Sequence, residues 1–455
     1  MSAQNAVAQA LSPKAVRNSV LDLATPAILE MILGMSVGII DTAMVGRLGA
    51  SALASVGLGA QVMFIAQTLF ASVTTGTTAL VARHIGAEET DEACSVARQS
   101  LVLGGGLALV ASLLLIGLGP HLVGLLFGST EAVVQAQAVM YVRIVASVLV
   151  FHFVLIVLNS SLRGSGDTRT PMMIMAIVNL TNVVLNYILI YGALGVPALG
   201  MPGAALATAC SLMVGGCLAL AFAFGGRRLI KLSLRDDFRP RWATVERILT
   251  IGIPAGIEQA FLRVGQLSYS VIIASLGTTA YAAHQIALNA ESLSYQPGFG
   301  FALAATSLVG QGLGARDPEG AQRAGLTAAR MAATAMGCVG AVLFLVPRPI
   351  VSIFTSDPEV IALSAEVLRI VAIAQPALAL VMVLSGSLRG AGDTRVVMSI
   401  TAVGFCAVRI ITAYLLVRAG YGLVGAWIGM VVDLFFRGSL FLLRFRRGGW
   451  KTVNV

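Results

Sequence analysis

Asp41, Asn182, Asn186 and Thr208 are the side chains of this 455-residue sequence best suited to hold a small cation or a proton. One carboxylate, two amides and a hydroxyl offer hard oxygen donors, the kind that alkali and alkaline-earth cations take. The carboxylate alone can instead carry a proton, because burial disfavours its charged form. Asn182 and Asn186 stand four apart and so share one helix face. Asp41 precedes a turn at Leu48-Gly49 by about seven residues, roughly 10 Å along a helix, and the amide pair lies at a similar distance before Gly192. Thr208 opens the next apolar stretch. The plainer reading of these residues is a polar cluster holding three helices together.

Other ionisable residues sit inside apolar stretches. Glu30 and Glu258 each follow a proline, Pro26 and Pro254, by four residues. They read as packing anchors or as a gate. Arg263 and Glu291 are predicted to meet at one depth on antiparallel helices and to neutralise each other. The sharper alternative opens Glu291 to a cavity, where it would attract cationic substrate. Asp433 and Arg437, four apart, are expected to pair. Gln296-Pro297-Gly298 is expected to break its helix and free backbone groups.

A repeat supplies the elements that must position these side chains. Leu162-Arg163-Gly164-Ser165-Gly166-Asp167-Thr168-Arg169 returns as Leu388-Arg389-Gly390-Ala391-Gly392-Asp393-Thr394-Arg395, offset by 226 residues (389 − 163). Pro26-Ala27 with Glu30 returns as Pro254-Ala255 with Glu258, offset by 228 (258 − 30). A period of half the chain means two copies of one domain. The repeat is also a control. Glu30 and Glu258 occur in both copies and serve the shared fold. Asp41 does not, because its counterpart is Tyr269. Asn182 and Asn186 correspond to Val408 and Thr412, so the oxygen-rich set belongs to the first half alone.

Composition fixes the solvent. Apolar residues make up 57% of the chain and charged residues 11%, against roughly 25% charged in soluble domains. About twelve apolar runs, from 20–46 to 422–443, are long enough to cross a bilayer. An all-α integral membrane protein follows, with twelve transmembrane helices in two parallel six-helix repeats. Its segments are an N-terminal stretch 1–19, a first lobe 20–225, a linker 226–245, a second lobe 246–443 and a tail 444–455. Two such halves in so apolar a chain are the plan of a secondary transporter.

The net charge of +9 orients the chain rather than binding nucleic acid. Nearly all basic loop residues fall on the side of the N-terminus, including Arg227, Arg228, Lys231, Arg235, Arg239 and Arg241 in the linker. The opposite loops hold only Arg47, Arg348 and Arg418. By the positive-inside rule both termini are cytoplasmic, and the basic linker lies against anionic lipid. No Lys follows a Gly, so the phosphate-binding loop of ATP-driven pumps is missing. The four histidines lack zinc-ligand spacing, and five cysteines in or beside apolar stretches argue against a disulfide framework. The chain is expected to be no enzyme and to need no cofactor beyond a coupling ion.

Several motifs together resemble the multidrug and toxic compound extrusion (MATE) family over nearly the whole chain. They are Pro26 with Asp41-Thr42-Ala43-Met44-Val45-Gly46, both Leu-Arg-Gly-x-Gly-Asp-Thr-Arg copies, Asn182 through Tyr191-Gly192, Ala282-Ala283-His284-Gln285-Ile286-Ala287 and Leu308-Val309-Gly310-Gln311. The resemblance implies two six-helix lobes around a central cleft, in a bacterial or archaeal cytoplasmic membrane. It implies export of amphipathic organic cations in exchange for H+ or Na+, by a protein working as a monomer. It also implies that Asp41, Asn182, Asn186 and Thr208 form the cation site, with Na+ at Asp41, Asn182 and Asn186 one option, and that the first helix bends at Pro26. Where many relatives carry a second Asp, this chain has Asn186. The helix-ten carboxylate of some Na+-coupled members is replaced here by Leu378. The alternative within the superfamily is a flippase for lipid-linked oligosaccharides, whose cavity would present unpaired cations to a diphosphate.

Overall fold

The computed structural model describes residues 13–128, 130–226, 229–233 and 235–453. Residues 1–12 of the N-terminal stretch, Arg227 and Arg228 of the linker and the last two residues of the tail lie outside the described residues. With no water to satisfy backbone groups, apolar segments must bond internally, and helices do so. The first half comprises α1 (Pro13–Gly46), α2 (Ala50–Gly86), α3 (Thr90–Phe127), α4 (Ala132–Ser147), α5 (Leu149–Gly164), α6 (Arg169–Tyr191) and α7 (Met201–Phe224). The second half begins with α8 (Trp242–Ala274), α9 (Thr278–Gly314), α10 (Pro318–Leu345), the short α11 (Pro347–Val351) and α12 (Pro358–Gly390). It ends with α13 (Thr394–Thr401), a π-helical stretch Ala402–Arg409, α14 (Ile410–Leu416), a second π-helical turn Val417–Tyr421 and α15 (Gly422–Arg447). No strand occurs among the described residues.

Seven helical stretches are long and apolar enough to span a bilayer, and two bent pairs raise the count to nine. One pair is α4–α5, bent by 56° at Val148. The stretch Thr394–Arg447 folds back at Gly420 and Gly422, both with positive φ, and therefore supplies two spans. Adding α8 and α9, which carry more polar residues, gives the expected twelve helices.

Two compact units emerge. One holds residues up to Ile28, Gly86–Glu88 and Ile253–Val455; the other holds Leu29–Ile85 and Glu89–Gly252. This division differs from the even split read in the sequence. Helix α1 passes from one unit to the other two residues after Pro26, and α8 does so two residues before Pro254. A proline lacks the N–H that would bond one turn back, so each crossing coincides with a missing rung. In the unit containing α9, α10 and α12, a core forms around Ala304, Ala328, Met336, Leu384 and Phe441. A second core in that unit gathers Val367, Val371, Trp427 and Leu434. In the other unit, Leu155, Leu158, Ile174, Val178 and Ala219 pack together.

The repeated octet is a structural joint made twice. Gly166 and Gly392 take φ of 90° and 85°, and their amides bond the carbonyls of Arg163 and Arg389 at 3.0 Å. Asp167 and Asp393 then bond back to Leu162 and Leu388. Only glycine takes such a backbone without strain. Gly164 lies against the Thr78 carbonyl and Gly390 against that of Thr306, while the two threonine hydroxyls donate to the carbonyls of Ser160 and Gly386. Arg163 pairs with Glu30, and Arg389 with Glu258 at 2.7 Å. These pairs tie α1 to α5 and α8 to α12. Arg143 and Arg369 likewise each donate to a carbonyl of the neighbouring helix, Ile116 and Phe344.

One expectation fails here. Helix α9 runs through Gln296-Pro297-Gly298 without a break. Gly298 instead makes room for the sulfurs of Met336 and Met382, so the glycine serves packing.

Candidate functional site

Helices α1, α6 and α7 bring the oxygen-rich set together within one unit. Asn186 Nδ2 donates to Asp41 Oδ1 at 2.7 Å and lies 3.2 Å from the Asn182 amide. The spacing of four puts both amides on the buried face of α6, where Asn182 is 6% and Asn186 2% exposed. Asp41 sits half-buried on α1. The Tyr191 hydroxyl donates to the Met44 carbonyl at 2.9 Å, pinning the ends of α6 and α1 and holding the carboxylate opposite the amides.

The neighbours of the Asn182 amide decide which of its ends faces Asp41. With Nδ2 turned inward it donates to both carboxylate oxygens at 2.9 Å, which suits a charged Asp41. On its other side the same amide lies 3.5 Å from Ser211 Oγ. Asn186 Oδ1 is buried and has no hydrogen-bond partner, an unsatisfied acceptor that a site of this kind must explain. The oxygens fit a small cation as substrate, and they fit a proton equally well.

Thr208 is present at the same level but turned to its own helix, where its hydroxyl donates to the Ala204 carbonyl at 3.0 Å. Two neighbours escaped the sequence reading. Ser211 bonds to the Thr208 carbonyl at 2.9 Å and faces Asn182. Tyr141, buried on α4, lies beside Thr208 and within electrostatic reach of Asp41. Gly59 on α2 leaves space for that ring, since a Cβ there would lie 2.5 Å from it. The position of Ser211 three residues after Thr208, on one helix face, is the signal that could have found it.

Arg263 and Glu291 do not pair. Glu291 accepts from Gln375 Nε2 at 3.5 Å, and Arg263 Nη1 reaches along its own helix to Gln266 Oε1 at 3.4 Å. The two side chains lie on different helical faces. Arg263 lies on the exposed side of α8, whereas Glu258, Gly265 and Tyr269 face inward. Asp433 does meet Arg437, at 2.6 Å, and also Arg409, at 2.8 Å. The second arginine was not foreseen. It reaches Asp433 from the end of the π-helical stretch, stacked 4.1 Å over the Phe405 ring.

Among known proteins, the MatE family model matches residues 26–188 and 254–415, once in each half. The probable multidrug resistance protein NorM of Thermotoga maritima is 34% identical over 446 residues, covering 97% of this chain and 94% of the relative. The protein of the same description from Pseudomonas aeruginosa is 31% identical, covering 98% of this chain and 91% of the relative. A crystal structure of MATE in a bent conformation superposes with a TM-score of 0.88 at 26% identity, over 96% of both chains. The chain is a multi-pass membrane protein and belongs to the MatE family, the multidrug and toxic compound extrusion proteins that its motifs resemble.

Proposed function

We propose that this protein exports amphipathic organic cations from the cytoplasm in exchange for inward-moving H+ or Na+, by alternating access. The observation that carries this reading is the Asp41 carboxylate. It is half-buried in an apolar unit, has no ion-pair partner among the described residues, and faces two amides. Intramembrane ionisable groups are costly and mark ion pathways. An ion arriving at Asp41 competes with these amides for the carboxylate oxygens, and so alters the fit of α1 against α6 and α7. Exchange follows if the ion and the organic cation favour different conformations, since equal affinity for both would shift nothing. The relatives named for multidrug resistance support the substrate class, and the basic loops support cytoplasmic termini. A diphosphate-linked sugar substrate fits less well, because the buried Arg409 and Arg437 are both committed to Asp433.

The test is export of a fluorescent cationic dye from proteoliposomes under an imposed proton gradient, then under a sodium gradient. Asp41→Asn should reduce gradient-driven export to the level of empty liposomes while eluting as a folded protein. Gradient-driven export by this variant at the unmodified rate would refute the assignment of Asp41, and the effective gradient names the ion.

A further inference from the structure

Five carboxylates are buried among the described residues: Glu30, Glu258, Glu291, Asp393 and Asp433. Four have arginines at ion-pair distance, namely Arg163, Arg389, Arg444 and the pair Arg409 with Arg437. Glu291 has none. Its polar contact is Gln375 Nε2 at 3.5 Å, and the Ser294 hydroxyl fixes that amide by donating to Gln375 Oε1 at 2.9 Å.

Charge accounting explains why Glu291 is left uncommitted. Arg409, Arg437 and Asp433 together carry one positive charge in excess. Arg409 lies within electrostatic reach of Glu291, yet its hydrogen bonds go to Asp433. An ionised Glu291 balances that excess across a gap, and a protonated one exposes it. The other titratable groups nearby are Tyr269 on α8, and His284 and Tyr295 on α9; from α12 the neutral Gln375 meets the carboxylate.

The surroundings call for water. Tyr269 Oη, His284 Nδ1 and Trp427 Nε1 are buried without hydrogen-bond partners. Their rings stand edge to face in a row, at 5.7 Å and 5.6 Å between centroids. Buried polar atoms in such numbers are satisfied by internal water. His284 is seven residues before Glu291, on the same face of α9. Tyr269 occupies the repeat position of Asp41. The second half thus keeps a buried polar cluster at the repeat position of the cation site of the first, with its acid on a different helix.

We propose that Glu291 is a second proton-carrying group, taking up and releasing one proton per transport cycle through water held by Tyr269, His284 and Trp427. The proton leaves a hydronium ion, resides on a carboxyl oxygen of Glu291, and departs to water on the other side. While it resides there, the uncovered charge of the Arg409–Asp433–Arg437 cluster repels a cationic substrate. This rests on the antiport reading above and adds a proton site to it.

The experiment counts protons. Purified protein in sodium-free, weakly buffered detergent solution is titrated with ethidium, and a pH indicator reads proton release. Two protons per bound ethidium are expected from the unmodified protein, and half that number from Asp41→Asn or from Glu291→Gln. No release from Asp41→Asn, or undiminished release from Glu291→Gln, overturns the proposal while leaving antiport intact. Absence of both binding and release in the unmodified protein would overturn the antiport reading itself. Should Glu291→Gln fail to fold, the counts from the unmodified protein and Asp41→Asn still decide.

Discussion

Removing the Glu258 carboxylate strands Arg389 against an apolar interior. Glu258 is 2% exposed and accepts from Arg389 Nε and Nη2 and from the Thr401 hydroxyl. Breaking a buried pair by removing one partner costs about 3–5 kcal/mol. The Arg389 side chain retains 24% of its surface, which places Glu258→Ala near the low end, about 3 kcal/mol. Thermal unfolding in detergent should show that loss, and Glu258→Ala with Arg389→Leu should recover most of it. Residue spacing made much of this chemistry legible. The interval of four between Asn182 and Asn186, and the absence of a second Asp41 in the repeat, both marked the site. Spacing could not reveal Arg409, because a π-helical stretch shifts every later side chain relative to a regular helix. Nor could it show that Arg263 turns to the exposed face of its helix while Glu291 is buried on another.

At the level of elements, the octet explains why one sequence recurs after half a chain. Its glycines admit a neighbouring carbonyl and a left-handed turn, its arginine reaches a buried glutamate, and its aspartate closes the turn. Gly390→Ala drives a methyl group into the Thr306 carbonyl, and such overpacking costs typically 1–3 kcal/mol. A fall in the unfolding temperature, with dye binding per folded molecule unchanged, is the expected outcome. The twelve spans were visible in the apolar runs because the bilayer sets their length. The 56° bend between α4 and α5 was not, since no proline or glycine marks Val148. The continuity of α9 through Pro297 was also hidden, because tertiary packing held a helix that local preference alone would interrupt.

Across the whole molecule, the segment joining the two repeats is fastened to α3 rather than left as a free tether. Gln99 bonds to the backbone of Arg239 and Arg241, Cys94 Sγ accepts from the Lys231 amide, and Asp236 meets Arg98 at 2.8 Å. The Ser233 amide and then Arg98 hold the Asp236 carboxyl below the usual carboxylate range. A depressed acid stabilises docking above its ordinary pKa, and that contribution is lost as pH falls through the lowered value. Cys94, kept as the sole cysteine, should therefore react slowly with dithiodipyridine at pH 7, and faster in Asp236→Asn. The difference between the two proteins should vanish in acid, below the carboxylate range. Equal rates at pH 7 would show that Asp236 does not hold the segment. The tail is fastened as well, with Trp450 stacked on Phe445 at 4.7 Å and fully buried. The three tryptophans thus occupy three unlike environments: Trp242 is 76% exposed, Trp450 is clamped in the tail, and Trp427 borders His284. Indole emission follows the polarity around the ring, so each has its own colour. The protein carries an optical gauge of the polar cluster around His284 in its native sequence, and light alone can read a change of polarity there.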